Sequence, residues 1–199
     1  MFTRTVTFTG ATDIDAGIRF LQDNVAPQLR QQKGFRGVIA SADRSAGVLG
    51  VLSLWETEAD RDASDAAMVK AREEALRVVG GELTVETFEQ LLSEMAQRPP
   101  VGASLLVRRI SMDPAKVEES LAFFRQEVLP EIKALPGFCA VRDMVNRQTG
   151  EGMVGTVFTD RASMEAGAEA GEARRERAAQ RGVTLGEHSK REIVFADLP

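Results

Sequence analysis

An internal repeat constrains the fold of this chain more strongly than any other feature of its sequence. The phrase VLPEIKALPGF begins at Val128, and a diverged copy, VAPQLRQQKGF, begins 103 residues earlier at Val25. Before and within each copy, apolar residues recur at the spacing of an amphipathic helix. They are Ile14, Ile18, Leu21, Val25 and Leu29 in the first copy, and Val117, Leu121, Phe124, Val128 and Ile132 in the second. Because both sets share one register, we predict two copies of one structural unit.

Each copy lies within the same predicted order of elements. A first strand leads into the long helix, and the glycine of Gly-Phe ends that helix because glycine tolerates the left-handed conformation of a C-terminal turn. Two strands joined by turn-forming residues predict a hairpin, which a second helix and a last strand follow. The order β-α-β-β-α-β is that of the ferredoxin-like unit. We therefore predict a first repeat over residues 1–92, a linker over 93–102 and a second repeat over 103–199.

Two prolines, Pro27 and Pro130, fall inside the helical pattern of their repeats. A proline inside a helix removes one backbone hydrogen bond and crowds the preceding turn. We therefore expect each long helix to kink or to change pitch near its proline.

The third strand of the first repeat, VLGVLSLW, is apolar on both of its alternating faces. An antiparallel sheet with one face in water normally alternates apolar and polar residues. We predict that helices cover one face and that the other packs against the sheet of the second repeat. The predicted fold class is therefore α+β, with two tandem ferredoxin-like β-α-β-β-α-β repeats that form a barrel with the helices outside.

The composition disfavours several classes of partner. A net charge of −5 and a pI of about 5.1 do not favour nucleic-acid binding, which usually needs a basic surface. No apolar run approaches the roughly 18 residues that a membrane-spanning helix needs, and the N-terminus lacks the apolar core of a signal peptide. Since Cys139 is the one cysteine, no internal disulfide can form, and a cytoplasmic protein is expected.

The phrase LPEIKALPGF, the strand pair after it and the segment LWETEADRDAS resemble antibiotic biosynthesis monooxygenase-like proteins of the dimeric α+β barrel superfamily. The resemblance extends over nearly the whole chain, once per half. It implies an intramolecular dimeric α+β barrel, and hence a monomeric pseudo-dimer or a further homodimer. The superfamily includes cofactor-independent monooxygenases of aromatic polyketide-type substrates, haem-degrading monooxygenases and members without known activity.

The residues at two positions disfavour haem degradation. In the haem-degrading subgroup a tryptophan and a histidine lie on the helix after the junction that contains Trp55. Counted from Trp55, those positions fall near Ser64 and Glu74. The one histidine, His188, lies on a predicted last strand instead. We therefore expect neither a haem nor another metal, and no cofactor.

Cofactor-free oxygenation needs an apolar pocket, a base, and a cationic or donor group for the oxyanion. His188 is a candidate catalytic base, because histidine is the side chain whose ordinary pKa lies near neutrality. Arg109 is a candidate for the oxyanion. Both have a simpler interpretation, since His188 lies in the polar stretch EHSKRE and Arg109 lies where a strand end could reach water.

Five further residues are candidates for binding a small apolar or aromatic ligand. Gly167 and Gly171 lie four apart on the second helix of the second repeat, where small residues allow either a cavity or close packing. Trp55 could stack on a ligand or belong to the core, and Phe138 and Phe158 complete the set. Because the corresponding helix of the first repeat carries larger apolar residues, we expect at most one functional pocket, in the second half.

Two functions remain open from the sequence. One is a cofactor-independent monooxygenase that acts on a small aromatic or polyketide-like substrate. The other is a non-catalytic barrel that binds a small ligand or has a structural role. The lack of tyrosine, which some of these monooxygenases use, favours the second function, whereas an apolar cavity that holds His188 or Arg109 would favour the first.

Overall fold

The computed structural model describes residues 1–198 of the chain. The chain forms two compact units, of which one contains Met1–Thr87 and the C-terminal segment from Glu192, and the other contains Phe88–Arg191. The order β-α-β-β-α-β occurs twice along the chain, as the repeat predicts. Among the described residues, no helix is both long enough and apolar enough to cross a membrane.

The strands and α-helices of the two halves correspond one to one, apart from a break in the last helix of the second half. The first half contains β1 (Phe2–Thr9), α1 (Ile14–Phe20), α2 (Ala26–Arg30), β2 (Phe35–Asp43), β3 (Val48–Trp55), α3 (Glu58–Val79) and β4 (Glu82–Met95). The second half contains β5 (Ser104–Met112), α4 (Val117–Phe123), α5 (Leu129–Lys133), β6 (Phe138–Val145), β7 (Glu151–Phe158), α6 (Arg161–Ala173), α7 (Arg175–Gln180) and β8 (Val183–Asp197).

A five-residue π-helical segment interrupts the first helix of each half. Leu21–Val25 joins α1 to α2, and Phe124–Val128 joins α4 to α5. Pro27 and Pro130 lie in the first turn directly after these segments. Because a proline nitrogen cannot donate to the preceding turn, the regular hydrogen-bond pattern is disturbed there and the helix widens. The predicted change of pitch is confirmed in both halves.

The second helix of each half begins at a side-chain cap. Before α3, the Thr57 hydroxyl accepts a hydrogen bond from the Asp60 backbone nitrogen at 3.1 Å. Before α6, the Asp160 carboxylate accepts one from the Ser163 backbone nitrogen at 2.8 Å. Such caps satisfy backbone donors that have no partner within the helix. From this fixed start, α6 packs against β5 and β7.

The last strand of each half ends in the sheet of the other half. In the first unit, β1 pairs with β3, β3 with β2, and β2 with the C-terminal end of β8, all antiparallel. In the second unit, β5 pairs with β7, β7 with β6, and β6 with the C-terminal end of β4. The compact units therefore differ from the predicted repeats at these strand ends, and the repeat boundaries stay a prediction.

Both faces of β3 are buried, as its sequence predicts. Leu49 and Leu54, which point to opposite faces, are 1% and 2% exposed. Trp55 at the end of β3 is fully buried, and its ring meets the Phe35 ring edge to face with centroids 5.6 Å apart. Phe158 occupies the equivalent position in the second half and is buried as well.

Candidate functional site

Each half has a pocket between its helices and its sheet. The first-half pocket has a volume of about 60 Å³ and is lined from β1, β3 and the helices of that half. The second-half pocket has a volume of about 90 Å³ and is lined mainly from β5, β6, β7 and the helices α4 to α7. The larger pocket thus lies in the half where the sequence predicts the functional one.

Apolar side chains form most of the wall of the second-half pocket. They include Leu106, Ile110, Phe123, Phe124, Val128 and Ile132. The polar side chains of the wall are Arg108, Ser120, Asp143, Thr156 and Arg174. A charged group in apolar surroundings is unfavourable unless it is paired. The partners of the charged groups therefore decide what this pocket can do.

Asp143 is the carboxyl group of this pocket. It lies on β6 opposite Val154 of β7 and is 5% exposed. Its Oδ1 atom is buried and accepts no hydrogen bond from any residue that the structure describes. Burial raises the pKa of Asp143 from its ordinary 3.8 to about 7, although the positive charge of Arg125 opposes the shift. Near neutral pH this carboxyl can therefore both take up and release a proton.

Arg108 places a positive charge on the same wall. Its Nη2 atom lies 2.7 Å from Oε1 of Glu172 and 3.1 Å from Nδ1 of His188. Its Nη1 atom donates to the carbonyl oxygen of Gly186 at 3.1 Å. Hydrogen bonds from Arg108 and Arg175 lower the pKa of Glu172, so that carboxylate stays ionised. These contacts hold the guanidinium in one place.

His188 neighbours Arg108 but does not belong to the pocket wall that the described residues form. Partial burial and the positive charges of Arg108 and Lys190 lower the pKa of His188, so its imidazole is neutral at pH 7. Its proposed role as a base stays a prediction.

The arginine of β5 that lines the pocket is Arg108, one residue before the Arg109 that the sequence pointed to. Consecutive side chains on a strand point to opposite faces. Because Leu106, Arg108 and Ile110 line the pocket from one face of β5, Arg109 lies on the other face, near Gly186 of β8. A contact of Arg109 with a ligand in this pocket is therefore not supported.

Three of the predicted ligand-binding residues, Phe158, Gly167 and Gly171, line the second-half pocket. A Cβ atom at Gly167 would lie 2.5 Å from Cζ of Phe158, and one at Gly171 would lie 3.2 Å from Nη2 of Arg108. The two glycines thus let the Phe158 ring and the Arg108 guanidinium lie beneath α6. Part of the space predicted under this helix is filled by these two side chains.

The other two, Trp55 and Phe138, belong to the cores. Trp55 is fully buried, and its Nε1 atom donates to the Ser53 hydroxyl at 3.0 Å. Phe138 packs in a cluster with Leu129 and Ile132. Neither lines one of the two pockets within the described part of the chain, and their role in ligand binding stays a prediction.

Asp143 was not predicted from the sequence, although a signal was present. Val141 and Val145 flank it at the two-residue spacing of one strand face, and both are fully buried. A lone carboxylate between two such valines indicates a buried acid. Arg142 beside it points to the other face of β6 and contacts Gln90 and Ser93 instead.

The first-half pocket differs in charge from the second. Ala40 occupies the position in its sheet that Asp143 occupies in the second half, because Ala40 lies opposite Val51 as Asp143 lies opposite Val154. The polar lining residues of the first-half pocket are Arg4, Ser53 and Arg72, with no carboxylate among the described lining residues. Of the two pockets, the described residues therefore place a buried acid in the second-half pocket alone.

No metal centre is evident from the side chains of residues 1–198, which contain no group of three or more His, Cys, Asp or Glu placed to hold an ion. At the two positions compared with haem-degrading proteins, Ser64 accepts a hydrogen bond from Arg4 at 2.9 Å, and Glu74 lies 3.9 Å from Lys70. Neither position offers a histidine to a haem iron.

The chain is similar in sequence to an uncharacterized protein of Mycobacterium tuberculosis. No family model matches the chain. The chain is 28% identical over 166 residues to the uncharacterized protein Rv2557 of Mycobacterium tuberculosis (strain H37Rv), a match that covers 83% of this chain and 74% of the relative.

Two solved structures resemble the whole chain at low sequence identity. An anthrone oxidase-like protein has a TM-score of 0.70 at 13% identity, over 99% of this chain and 92% of its own. A ferredoxin-fold protein of Listeria monocytogenes, related to antibiotic biosynthesis monooxygenases, has a TM-score of 0.52 at 10% identity, over 96% of this chain and 94% of its own. The predicted fold class is confirmed: the chain has an α+β fold with two ferredoxin-like β-α-β-β-α-β repeats, and it shares this fold with a protein related to antibiotic biosynthesis monooxygenases.

Proposed function

We propose that the chain is a cofactor-independent monooxygenase that oxidises a small aromatic or polyketide-like substrate in the second-half pocket. The observation that carries this proposal is Asp143, a buried carboxyl group whose pKa is raised to about 7 in a largely apolar pocket. The likeness in fold to an anthrone oxidase-like protein supports the class of substrate. A purely structural barrel would gain nothing from a buried carboxyl oxygen that accepts no hydrogen bond from the described residues, because burying such a group is destabilising.

Asp143 is assigned the role of general base. Its ionised form would take a proton from a CH2 group between aromatic rings, or from a phenolic hydroxyl, and leave a delocalised anion. O2 accepts electrons from that anion. When the CH2 group becomes C=O, one oxygen atom enters the product and the other leaves as water. The substrate is then the reductant, and the reaction balances without a cofactor.

Arg108 is assigned the role of stabilising the anion. Its guanidinium is already held by Glu172, Gly186 and His188, so little reorganisation is needed when negative charge develops in the pocket. The other arginine of the wall, Arg174, is bound to Glu131 at 2.6 Å.

Oxygen uptake with a panel of anthrones and quinols tests the proposed function. We expect consumption of one O2 per substrate with no added cofactor, and one atom of ¹⁸O from labelled O2 in an anthrone-derived product. The proposed function would be contradicted if the folded protein gave no oxygen uptake above the uncatalysed rate with any member of the panel.

Filling the second-half pocket is expected to abolish turnover, whereas filling the first-half pocket is not. Val128 and Val25 occupy equivalent positions in the repeat, and each lines the pocket of its own half. Val128→Phe should lower kcat/KM by at least about tenfold, since a single misfitting group in a pocket has effects of this order. Val25→Phe introduces the same overpacking and should stay within about twofold. Equal losses in the two variants would contradict the placement of the site.

A further inference from the structure

The first-half pocket combines apolar walls with cations. Its apolar lining includes Val6, Phe8, Leu21, Leu29, Leu49 and Val51. Its charged lining residues are Arg4 and Arg72. Since none of the described lining residues is acidic, a molecule inside this pocket would meet positive charge and hydrocarbon.

Arg4 is a buried cation with an unused donor. It is 3% exposed, and its Nη1 and Nη2 atoms donate to the Ser64 hydroxyl at 2.9 Å and to the Arg61 carbonyl at 2.6 Å. Its Nε atom is buried and has no hydrogen-bond acceptor among the described residues. Arg61 pairs with Glu58 and Asp62, so its own charge is matched. A buried donor without an acceptor is unfavourable, and a ligand that supplied the acceptor would be bound more tightly.

Two arginines of this pocket share one carboxylate oxygen. Oδ1 of Asp65 lies 2.9 Å from Nη2 of Arg72 and 3.4 Å from Nη2 of Arg4. The side chain of Asp65 is 50% exposed, whereas those of Arg4 and Arg72 are 4% and 16% exposed. One solvated carboxylate therefore balances only part of the charge of two largely buried cations. The pocket wall keeps a positive charge that would attract a further anion.

From these contacts we propose that the first-half pocket binds a small carboxylate with an apolar body, of the kind found in a short-chain fatty acid. The carboxylate would meet the charges of Arg4 and Arg72 and supply the acceptor that Arg4 Nε lacks, in a charge-assisted hydrogen bond. The apolar body would contact the aliphatic and aromatic wall. This inference uses residues of the first half alone and does not rest on oxygenation in the second-half pocket. It departs from the sequence-based expectation of at most one functional pocket.

Trp55 is a reporter for this site. It is the one tryptophan of the chain, and Cζ of Arg4 lies 5.9 Å from the centroid of its ring. Its Nε1 atom donates to Ser53, which lines the pocket. A ligand that binds Arg4 changes the charge next to the indole ring, so Trp55 fluorescence should respond to binding in the first half.

Titration of the full chain with hexanoate, followed by Trp55 fluorescence and by calorimetry, tests the proposal. Hexanamide, which has nearly the same shape but no charge, is the matched ligand. We expect saturable binding of one hexanoate per chain and at least about tenfold weaker binding of hexanamide. Arg4→Met should weaken hexanoate binding by at least about tenfold and remove the preference for the carboxylate.

Two further variants keep the test decisive if Arg4→Met fails to fold. Val25→Phe fills the pocket, keeps Arg4 and should abolish hexanoate binding. Val128→Phe makes the equivalent change in the second half and should leave the hexanoate affinity within about twofold. The proposal is overturned if hexanoate shows no saturable binding, if hexanamide binds as tightly, or if Val128→Phe abolishes binding and Val25→Phe does not.

Discussion

Asp143→Asn is expected to lower kcat/KM for oxygen uptake by about 10²- to 10⁴-fold, the usual contribution of a general base. The amide keeps the shape of the side chain but cannot take a proton from the substrate at neutral pH. In the wild-type protein, kcat/KM should rise with pH and level off above about 7, because the ionised form of Asp143 is the active one. The measurement is the pH profile of oxygen uptake for both proteins.

His188→Gln is the informative companion variant, because neutral histidine could also produce a rate that rises with pH. Burial and nearby cations already lower the pKa of His188, so a profile set by His188 would lie below its ordinary 6.5. If Asp143 is the base, the rise near pH 7 persists in His188→Gln and disappears in Asp143→Asn. The opposite pattern would transfer the role to His188 and contradict the present assignment.

The contribution of Asp143 to the stability of the wild-type protein is expected to fall as the pH rises from about 4 to about 7. The pKa of Asp143 is about 7 in the folded chain against an ordinary value of 3.8, so the folded state binds this proton more tightly than the unfolded state does. The stabilising effect of the proton is complete below pH 3.8 and is lost as the pH passes through about 7. That difference in pKa corresponds to about 4 kcal/mol in the free energy of unfolding.

Urea unfolding of the wild-type protein and of Asp143→Asn between pH 4 and pH 8 measures this effect. The buried amide has its own desolvation cost, but that cost does not change with pH, so the difference between the two pH profiles isolates the titration of Asp143. Asp143→Ala, which introduces the residue that the first half has at Ala40, should lose the same pH dependence. Parallel profiles for all three proteins would show that Asp143 titrates near its ordinary pKa when folded.

The features that the sequence predicted are those that arise from local interactions. Helical spacing and the glycine after each first helix act within a few residues, so the order of elements could be derived for both halves. The prolines at 27 and 130 likewise disturb only the turn before them, which is where the π-helical segments lie.

The features that the sequence did not predict depend on which residues meet across the fold. On β5, one face carries Leu105, Val107 and Arg109 and the other carries Leu106, Arg108 and Ile110. Each face holds two apolar residues and one arginine, so alternation alone cannot tell which arginine reaches the pocket. The pairing of the ends of β4 and β8 with hairpins of the other half also cannot be derived from local sequence patterns.

Titration of the Asp143 carboxyl carbon by ¹³C NMR tests most directly whether the second-half pocket contains a buried base. The signal is assigned by its absence from Asp143→Asn. We predict a midpoint near pH 7, because the carboxyl group is shielded from water and its Oδ1 atom accepts no hydrogen bond from the described residues. A midpoint near the ordinary 3.8 would show a solvated or hydrogen-bonded carboxylate and would contradict the role assigned to Asp143.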